Sequence, residues 1–314
     1  MCKKYQSIIE HHYKKYIKKR SFEKLEKKKV LIFYDKRQTY TPTVADYLLS
    51  FKKYSNNEIY YKHLDEEQEI STDLNNFDVL VIHYSYRICF ENLPKRFIEL
   101  FSKFKKQKII FLQDEYENKK ILDQNLNILK PQIIFTVVPN QNIEKIYPKV
   151  KFPNIKFQEC LTGYLSETLI ESRNYIEYLN SEKRKSEIFY RARKLNIIYG
   201  SLGLLKYKIG EKTKKYVSSN EIGIVDIETD ESKRIYGKTW FEKLSKSKVM
   251  LGSESGSNIF DFAGNLKKIV EKEKSKNVKD LVIYEKYLAQ HDRDGLMNQI
   301  SPKIFEAIQS GCCL

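Results

Sequence analysis

The sequence predicts an α/β protein that carries two parallel sheets in succession. Three observations predict it. Short, continuous apolar runs recur along the chain, helical patterns separate most of them, and the series restarts after a highly charged stretch at 166–187. Runs with apolar residues at every position mark strands buried on both faces, as parallel sheets require. Strands alternating with helices favour that same architecture.

The first series opens with Val30-Leu31-Ile32-Phe33-Tyr34. It continues with Ile59-Tyr60-Tyr61, Val79-Leu80-Val81-Ile82, Ile109-Ile110-Phe111-Leu112 and Ile133-Ile134-Phe135-Thr136-Val137-Val138, and a short strand is expected near Gln158–Leu161. Helical patterns fall at Val44–Phe51, Pro94–Phe104 and Asn142–Tyr147. The first strand leads into Asp35-Lys36-Arg37-Gln38-Thr39 rather than a GxGxxG turn, which argues against a dinucleotide-binding first half. Residues 166–187 read as a bridging helix. The second series runs through Ile188-Phe189-Tyr190, Ile222–Ile227 and Val249-Met250-Leu251, with helices expected at 200–216, 240–247, 265–274 and 302–310. The plan is therefore two Rossmann-like domains, 29–165 and 188–314, behind a basic helical arm at 1–28.

The chain of 314 residues has 41% hydrophobic and 31% charged residues, which excludes a disordered polymer. Its formal net charge is +16, and half of that lies in the first 29 residues, which hold 11 Lys/Arg and 3 Glu. An anionic partner is implied, but the concentration of charge weakens a whole-surface nucleic-acid reading. In the arm, Tyr5, Ile8, Ile9, Tyr13, Tyr16 and Ile17 recur at helical spacing among lysines. That pattern fits either a solvated arm packing one face on the body or a helix lying on an anionic membrane surface. The basic start is not followed by an apolar signal core, and no apolar run reaches the length of a membrane span. The five Cys show no zinc-ligand spacing and fit a reducing cytoplasm.

Three segments offer phosphate or sugar chemistry. Ser301-Pro302 is a helix start, so Lys303 and the free N–H groups of that first turn would face an anion, with Glu306 one turn further in. Arg191 and Arg193 alternate at the end of a strand, followed by Lys206 and Lys208, and guanidinium forks suit a diphosphate. The small residues of Gly252-Ser253-Glu254-Ser255-Gly256 let backbone approach a ligand after another strand, and Glu254 could accept from a sugar hydroxyl. Each also has a plainer reading: a capped helix, a solvated basic loop and a flexible turn. Asp292-Arg293-Asp294 sits in a polar loop rather than at a strand end, so it is not read as a metal motif.

Together "YRARK" at 190–194, "IYGKTWFEKLSKSKVMLGSESGSNIFDFAG" at 235–264 and "ISPKIFEAIQSG" at 300–311 resemble GT-B glycosyltransferases related to spore-maturation-type proteins and glycosyl transferases group 1. The likeness covers about residues 186–314; in the first half it is looser, mainly "KIIFLQDEY" at 108–116. The resemblance implies a nucleotide-sugar donor, a hydroxyl acceptor on a glycan, lipid or protein, and no obligatory metal or cofactor. By resemblance Arg191, Arg193, Lys206 and Lys208 clamp the donor diphosphate, Ser301 and Lys303 face the phosphates, and Glu306 holds the ribose. In such proteins a further strand and helices follow the FEAxxxG helix, so Cys312-Cys313-Leu314 is expected to begin that strand and the donor domain to be incomplete.

An inverting transfer needs a base for the acceptor hydroxyl. Asp114 and Glu115, and after them His83, follow central strands of the first domain and are the candidates, against plainer roles in capping and in the core. The expected function is glycosyl transfer in surface polysaccharide or glycoconjugate synthesis, in the cytoplasm and peripheral to the inner face of a membrane. The alternatives are a non-catalytic nucleotide-sugar-binding scaffold and, third, a basic nucleic-acid-binding protein.

Overall fold

The computed structural model describes residues 26–64, 72–90, 93–165 and 184–314. Most of the basic arm and of the expected bridging helix lie outside them; Arg184 and Lys185 at the end of that bridge are not helical.

Six parallel strands form the first sheet: β1 (Lys29–Tyr34), β2 (Glu58–His63), β3 (Val79–Ile82), β4 (Gln107–Phe111), β5 (Ile133–Thr136) and β6 (Lys156–Glu159). Their spatial order is β2-β1-β3-β4-β5-β6. Register sets Val30 beside Val79, Ile32 beside Val81 and Ile110 beside Ile134. Because successive side chains point to opposite faces, the continuous apolar runs fill two cores. Leu31, Phe33, Leu80, Ile82 and Ile110 face α2 (Lys95–Lys103) and α3 (Lys119–Leu129), through Phe97, Phe101, Leu122 and Leu126. Val30, Ile32, Val79 and Val81 face Leu48 and Phe51 of α1 (Pro42–Tyr54). Helix α3 was not legible as a pattern: buried Lys119, Asp123 and Asn125 interrupt its apolar stripe, and Lys119 and Asp123 pair with each other.

The second sheet has three parallel strands, β7 (Ser186–Arg191), β8 (Val225–Glu228) and β9 (Ser247–Met250), in the order β8-β7-β9. Cys313 bridges Val249 in parallel, its N–H donating to the Lys248 carbonyl at 2.9 Å and its carbonyl accepting from Met250 N–H at 2.9 Å. That places the final residues on the outer side of β9, where the sequence expects a strand to begin. The short helix α4 (Ile143–Ile146) belongs to the first sheet's core; the second half carries α5 (Gly200–Ser219), α6 (Gly237–Ser245), α7 (Asn265–Ser275), α8 (Asp280–Ile283) and α9 (Pro302–Gln309). Phe189, Met250, Trp240, Leu244, Ala307 and Cys312 form its core.

Apolar packing continues between the two sheets. Phe260 and Met297, from the second half, are buried in the core of the first. Polar bonds flank them: Asn142 Nδ2 donates to the carbonyls of Gly295 at 2.7 Å and Leu296 at 3.0 Å. The fold is thus α/β with two parallel sheets, consistent with Rossmann-like folds.

Candidate functional site

Both sheets turn the C-terminal ends of their strands towards one cleft of about 490 Å3. In open α/β sheets ligands bind at those ends, because the helix N-termini and loops that follow the strands converge there. From the first sheet come Arg87, Asp114 and Glu117; from the second come Arg193, Lys206 and the first turn of α9. Six basic side chains line the cleft against three carboxyls, so its field favours an anion.

On the first wall, Asp114 follows β4 in the left-handed region at φ 55°, a conformation that Asp tolerates better than most residues. Tyr116 OH donates to Asp114 Oδ1 at 2.8 Å, and Arg87 Nη2 lies 3.5 Å from Oδ2. Arg87 Nη2 also sits 3.3 Å from Glu117 Oε2, while Tyr199 OH, from the second half, donates to Glu117 Oε1 at 3.0 Å. This chain of contacts ties Asp114 to both sides of the cleft and leaves its carboxylate partly exposed.

On the opposite wall, Lys303 and Glu306 lie three residues apart and so on one face of α9. Lys303 Nζ donates to the Arg191 carbonyl at 2.5 Å and lies 5.5 Å from the centre of the Trp240 ring. Burial, with Lys206 nearby, lowers its pKa to about 8. Burial raises the Glu306 carboxyl to about 7, opposed by the Trp240 indole and by Lys303. The indole N–H faces Glu306 without making a hydrogen bond of ordinary geometry, so a buried donor remains available. Lys206 Nζ donates to Ser255 Oγ at 2.8 Å, and burial lowers its pKa.

The Glu306 carboxyl makes a pH test. Between pH 4.5 and about 7 the folded chain holds a proton there that the unfolded chain has lost. Stability therefore falls as pH rises through that window. Relative to Glu306→Gln, the parent should lose about 3 kcal/mol between pH 4.5 and 7.5. Thermal midpoints of both proteins across that range check it; a constant difference would contradict the raised carboxyl.

Of the expected site residues, Asp114, Arg193, Lys206, Ser255, Ser301, Lys303 and Glu306 line the cleft. Arg191 lines it too, but its guanidinium turns back into the sheet: Nη2 donates to Asp226 Oδ1 at 2.6 Å and Nη1 to the Asp226 carbonyl at 3.0 Å. Its fork is spent on Asp226, which corrects its assignment as a diphosphate clamp. Ser301 occupies the N-cap position of α9, yet its hydroxyl makes no capping bond.

Five others sit outside the cleft. Glu115 is buried, accepting from Thr136 Oγ1 at 2.7 Å, from Val137 N–H at 2.9 Å and from Tyr147 OH. It points into the core, while the neighbouring Asp114 lines the cleft. His83 is fully buried among Tyr47, Phe51 and Tyr84, with Nδ1 2.9 Å from Ser85 Oγ. Burial pushes its pKa down to about 3, so it is a neutral core imidazole. Lys208 is exposed on α5, away from Lys206. Glu254 is exposed and accepts from Asn298 Nδ2 at 2.6 Å. Gly256 has φ 103°, and a Cβ there would lie 2.0 Å from the Met297 carbonyl oxygen. Its lack of a side chain serves backbone pairing of β10 (Ser255–Gly256) with β11 (Asn298–Gln299), not ligand approach.

Arg87, Glu117, Tyr199, Arg234 and Trp240 line the cleft and were missed from the sequence. Arg87 could have been found by extending the strand-end rule five residues beyond Ile82. The others depend on the packing of the two halves. Asp292, in the apparent DxD, accepts from Ser201 N–H at 2.6 Å and Tyr284 OH at 2.9 Å, so it caps α5. Asp261 similarly accepts from the N–H groups of Asn265 and Lys267 at the start of α7.

The fold and cleft define an α/β protein whose two parallel sheets present a shared basic crevice. No protein-family model matches the chain, and no curated protein or solved structure matches it. Among the described residues no helix is long and apolar enough to cross a membrane, and no cluster of His, Cys, Asp or Glu could hold a metal ion.

Proposed function

We propose that the cleft binds a nucleotide-sugar and that the chain transfers the sugar to a hydroxyl acceptor, as a GT-B-type glycosyltransferase. The observation that carries this reading is the convergence of Lys303, Glu306, Lys206 and Arg193 from the second sheet on Asp114 of the first, across one cleft. Lys303 and the first turn of α9 would bind the diphosphate. Glu306, once ionised, would accept from ribose hydroxyls.

In the transfer, the bond from the anomeric carbon to the diphosphate oxygen breaks and its electron pair leaves with the nucleoside diphosphate. Lys303, Lys206 and Arg193 offset that charge. A bond forms between the anomeric carbon and the acceptor oxygen, whose proton passes to Asp114. Tyr116 and Arg87 orient that carboxylate. The Lys-rich residues 1–28 would hold the chain near an anionic acceptor or a membrane surface in surface-polysaccharide assembly.

Calorimetric titration with UDP, GDP, ADP and TDP tests the reading. Saturable binding of one nucleotide by the parent, lost in Glu306→Ala, is expected. Sugar release from the matching nucleotide-sugar, lost in Asp114→Asn, would separate turnover from mere binding. A folded parent that binds none of the four overturns the proposal, and binding without turnover would favour the non-catalytic alternative.

A further inference from the structure

The cleft holds two ammonium groups that no carboxylate meets at close range. Lys303 Nζ, in the first turn of α9, donates to the Arg191 carbonyl at 2.5 Å. Lys206 Nζ, on α5, donates to Ser255 Oγ at 2.8 Å. Both acceptors are neutral. Among the described residues neither lysine has a carboxylate within ion-pair distance.

More positive charge surrounds them. Lys206, Arg191 of β7 and Arg234 from the segment before α6 face Lys303, and the carboxyl facing it is Glu306, one turn along α9. Asp114 and Arg193 face Lys206. The guanidiniums are balanced elsewhere: Arg191 by Asp226, and Arg193 and Arg234 by Glu231. Asp114 shares Arg87 with Glu117. Of the nearby tyrosines, Tyr164 faces Glu306 and Tyr190 lines the cleft, and burial raises both, so they stay neutral. Burial takes water from the two ammoniums, and each repels the other; both effects disfavour the charged form. Burial lowers the pKa of Lys206, and that of Lys303 to about 8. An opposite charge within about 4–6 Å favours the charged form, so phosphate oxygens beside these groups would reverse the shift.

We propose that anion binding in this cleft is coupled to proton uptake: phosphate entering beside Lys303 and Lys206 restores a proton that the buried pair gives up in the free protein, so affinity weakens as pH rises above neutral. The inference rests on the donor-site reading for the identity of the anion and adds a regulation of that site. The sign follows from linkage, since the bound form holds more protons than the free form. In mildly acidic solution Lys303 is already charged and the coupling fades. Glu306 titrates lower, at about 7, so at pH 8 it is largely ionised and the lysines dominate the exchange.

The test is calorimetry of the full chain with UDP, GDP, ADP and TDP at pH 8 in HEPES and in Tris, two buffers of different ionisation enthalpy. The difference in heat gives the protons taken up. The terminal phosphate of the free nucleotide is already ionised there, its second pKa being about 6, so the exchange belongs to the protein. The nucleotide that binds should bring about half a proton or more to the parent, and its affinity should fall about fourfold or more between pH 7.5 and 9. Lys303→Arg keeps the charge but cannot release its proton, so it should bind and lose most of the uptake; Lys206→Arg should lose the smaller share. A second readout needs no ligand. Trp240 is the one tryptophan of the chain, and Lys303 Nζ lies 5.5 Å from the centre of its ring. Its emission should change as Lys303 loses its proton near pH 8, and that step should vanish in Lys303→Arg; a lysine charged throughout would give no step. Equal heats in the two buffers, full uptake in both arginine variants, or flat emission across that range overturns the inference and leaves the donor reading standing. A folded parent that binds none of the four nucleotides removes the donor reading and this coupling with it.

Discussion

Replacing Lys303 by Ala is expected to weaken nucleoside diphosphate binding about 10- to 100-fold, since a hydrogen bond to a charged group contributes about 1.5–3 kcal/mol. Lys303 is the cation best placed for this loss. It stands in the first turn of α9, so its charge adds to the partial positive charge of that helix end. Its ammonium is held by the Arg191 carbonyl and the Trp240 face rather than by a carboxylate partner within ion-pair distance, so no strong pair must break when phosphate arrives. Lys303→Arg should recover part of the affinity, because charge is kept while the point-like fit is lost. Calorimetry on the three proteins checks this. If Lys303→Ala lowers the thermal midpoint but binds nucleotide as the parent does, Lys303 only supports the Arg191 strand end.

Glu115→Ala is expected to destabilise the fold by about 3–5 kcal/mol, a larger effect on folding than that of any cleft residue. The change leaves the Thr136 hydroxyl, the Val137 N–H and the Tyr147 hydroxyl without their acceptor in a buried setting. Lys119, also buried and within electrostatic reach of Glu115, would lose part of its compensation. Burial raises the Glu115 carboxyl while those donors oppose the shift, so much of its value lies in the bonds it receives. Denaturant unfolding should show the midpoint shift. Glu115→Gln should retain part of the stability and donor binding should persist in whatever folds. Loss of sugar transfer by a Glu115→Gln protein of parental stability would instead return Glu115 to the list of catalytic groups.

The pair Asp114 and Glu115 shows how far the sequence reached. Asp114 and Glu115 are adjacent and chemically alike, and both were read as candidates for one role. The packing of the turn after β4 separates them, with the Asp114 carboxyl in the cleft and Glu115 in the core. Neighbouring residues in a sequence carry no information on which side of a turn each will fall. Arg191 and Arg193 make the same point. β7 ends at Arg191, so Arg193 lies in the loop beyond it and is freed from the strand's alternation; one guanidinium meets Asp226 of β8 and the other lies half-exposed beside Glu231. The strand-end rule located the segment; a partner 35 residues further on decided which side chain was spent.

By itself the sequence determined the alternation of buried strands and helices, the two parallel series, and the helix start at Ser301-Pro302 that carries Lys303 and Glu306. Those features are local, since burial on both faces and helix capping leave their mark in consecutive residues. Only the tertiary structure decided that Arg87, Glu117, Tyr199 and Trp240 meet in the cleft and that His83 and Glu115 belong to the core. Each of those outcomes rests on contacts between segments far apart in the chain, and such contacts are set by packing the sheets together rather than by any pattern within one of them.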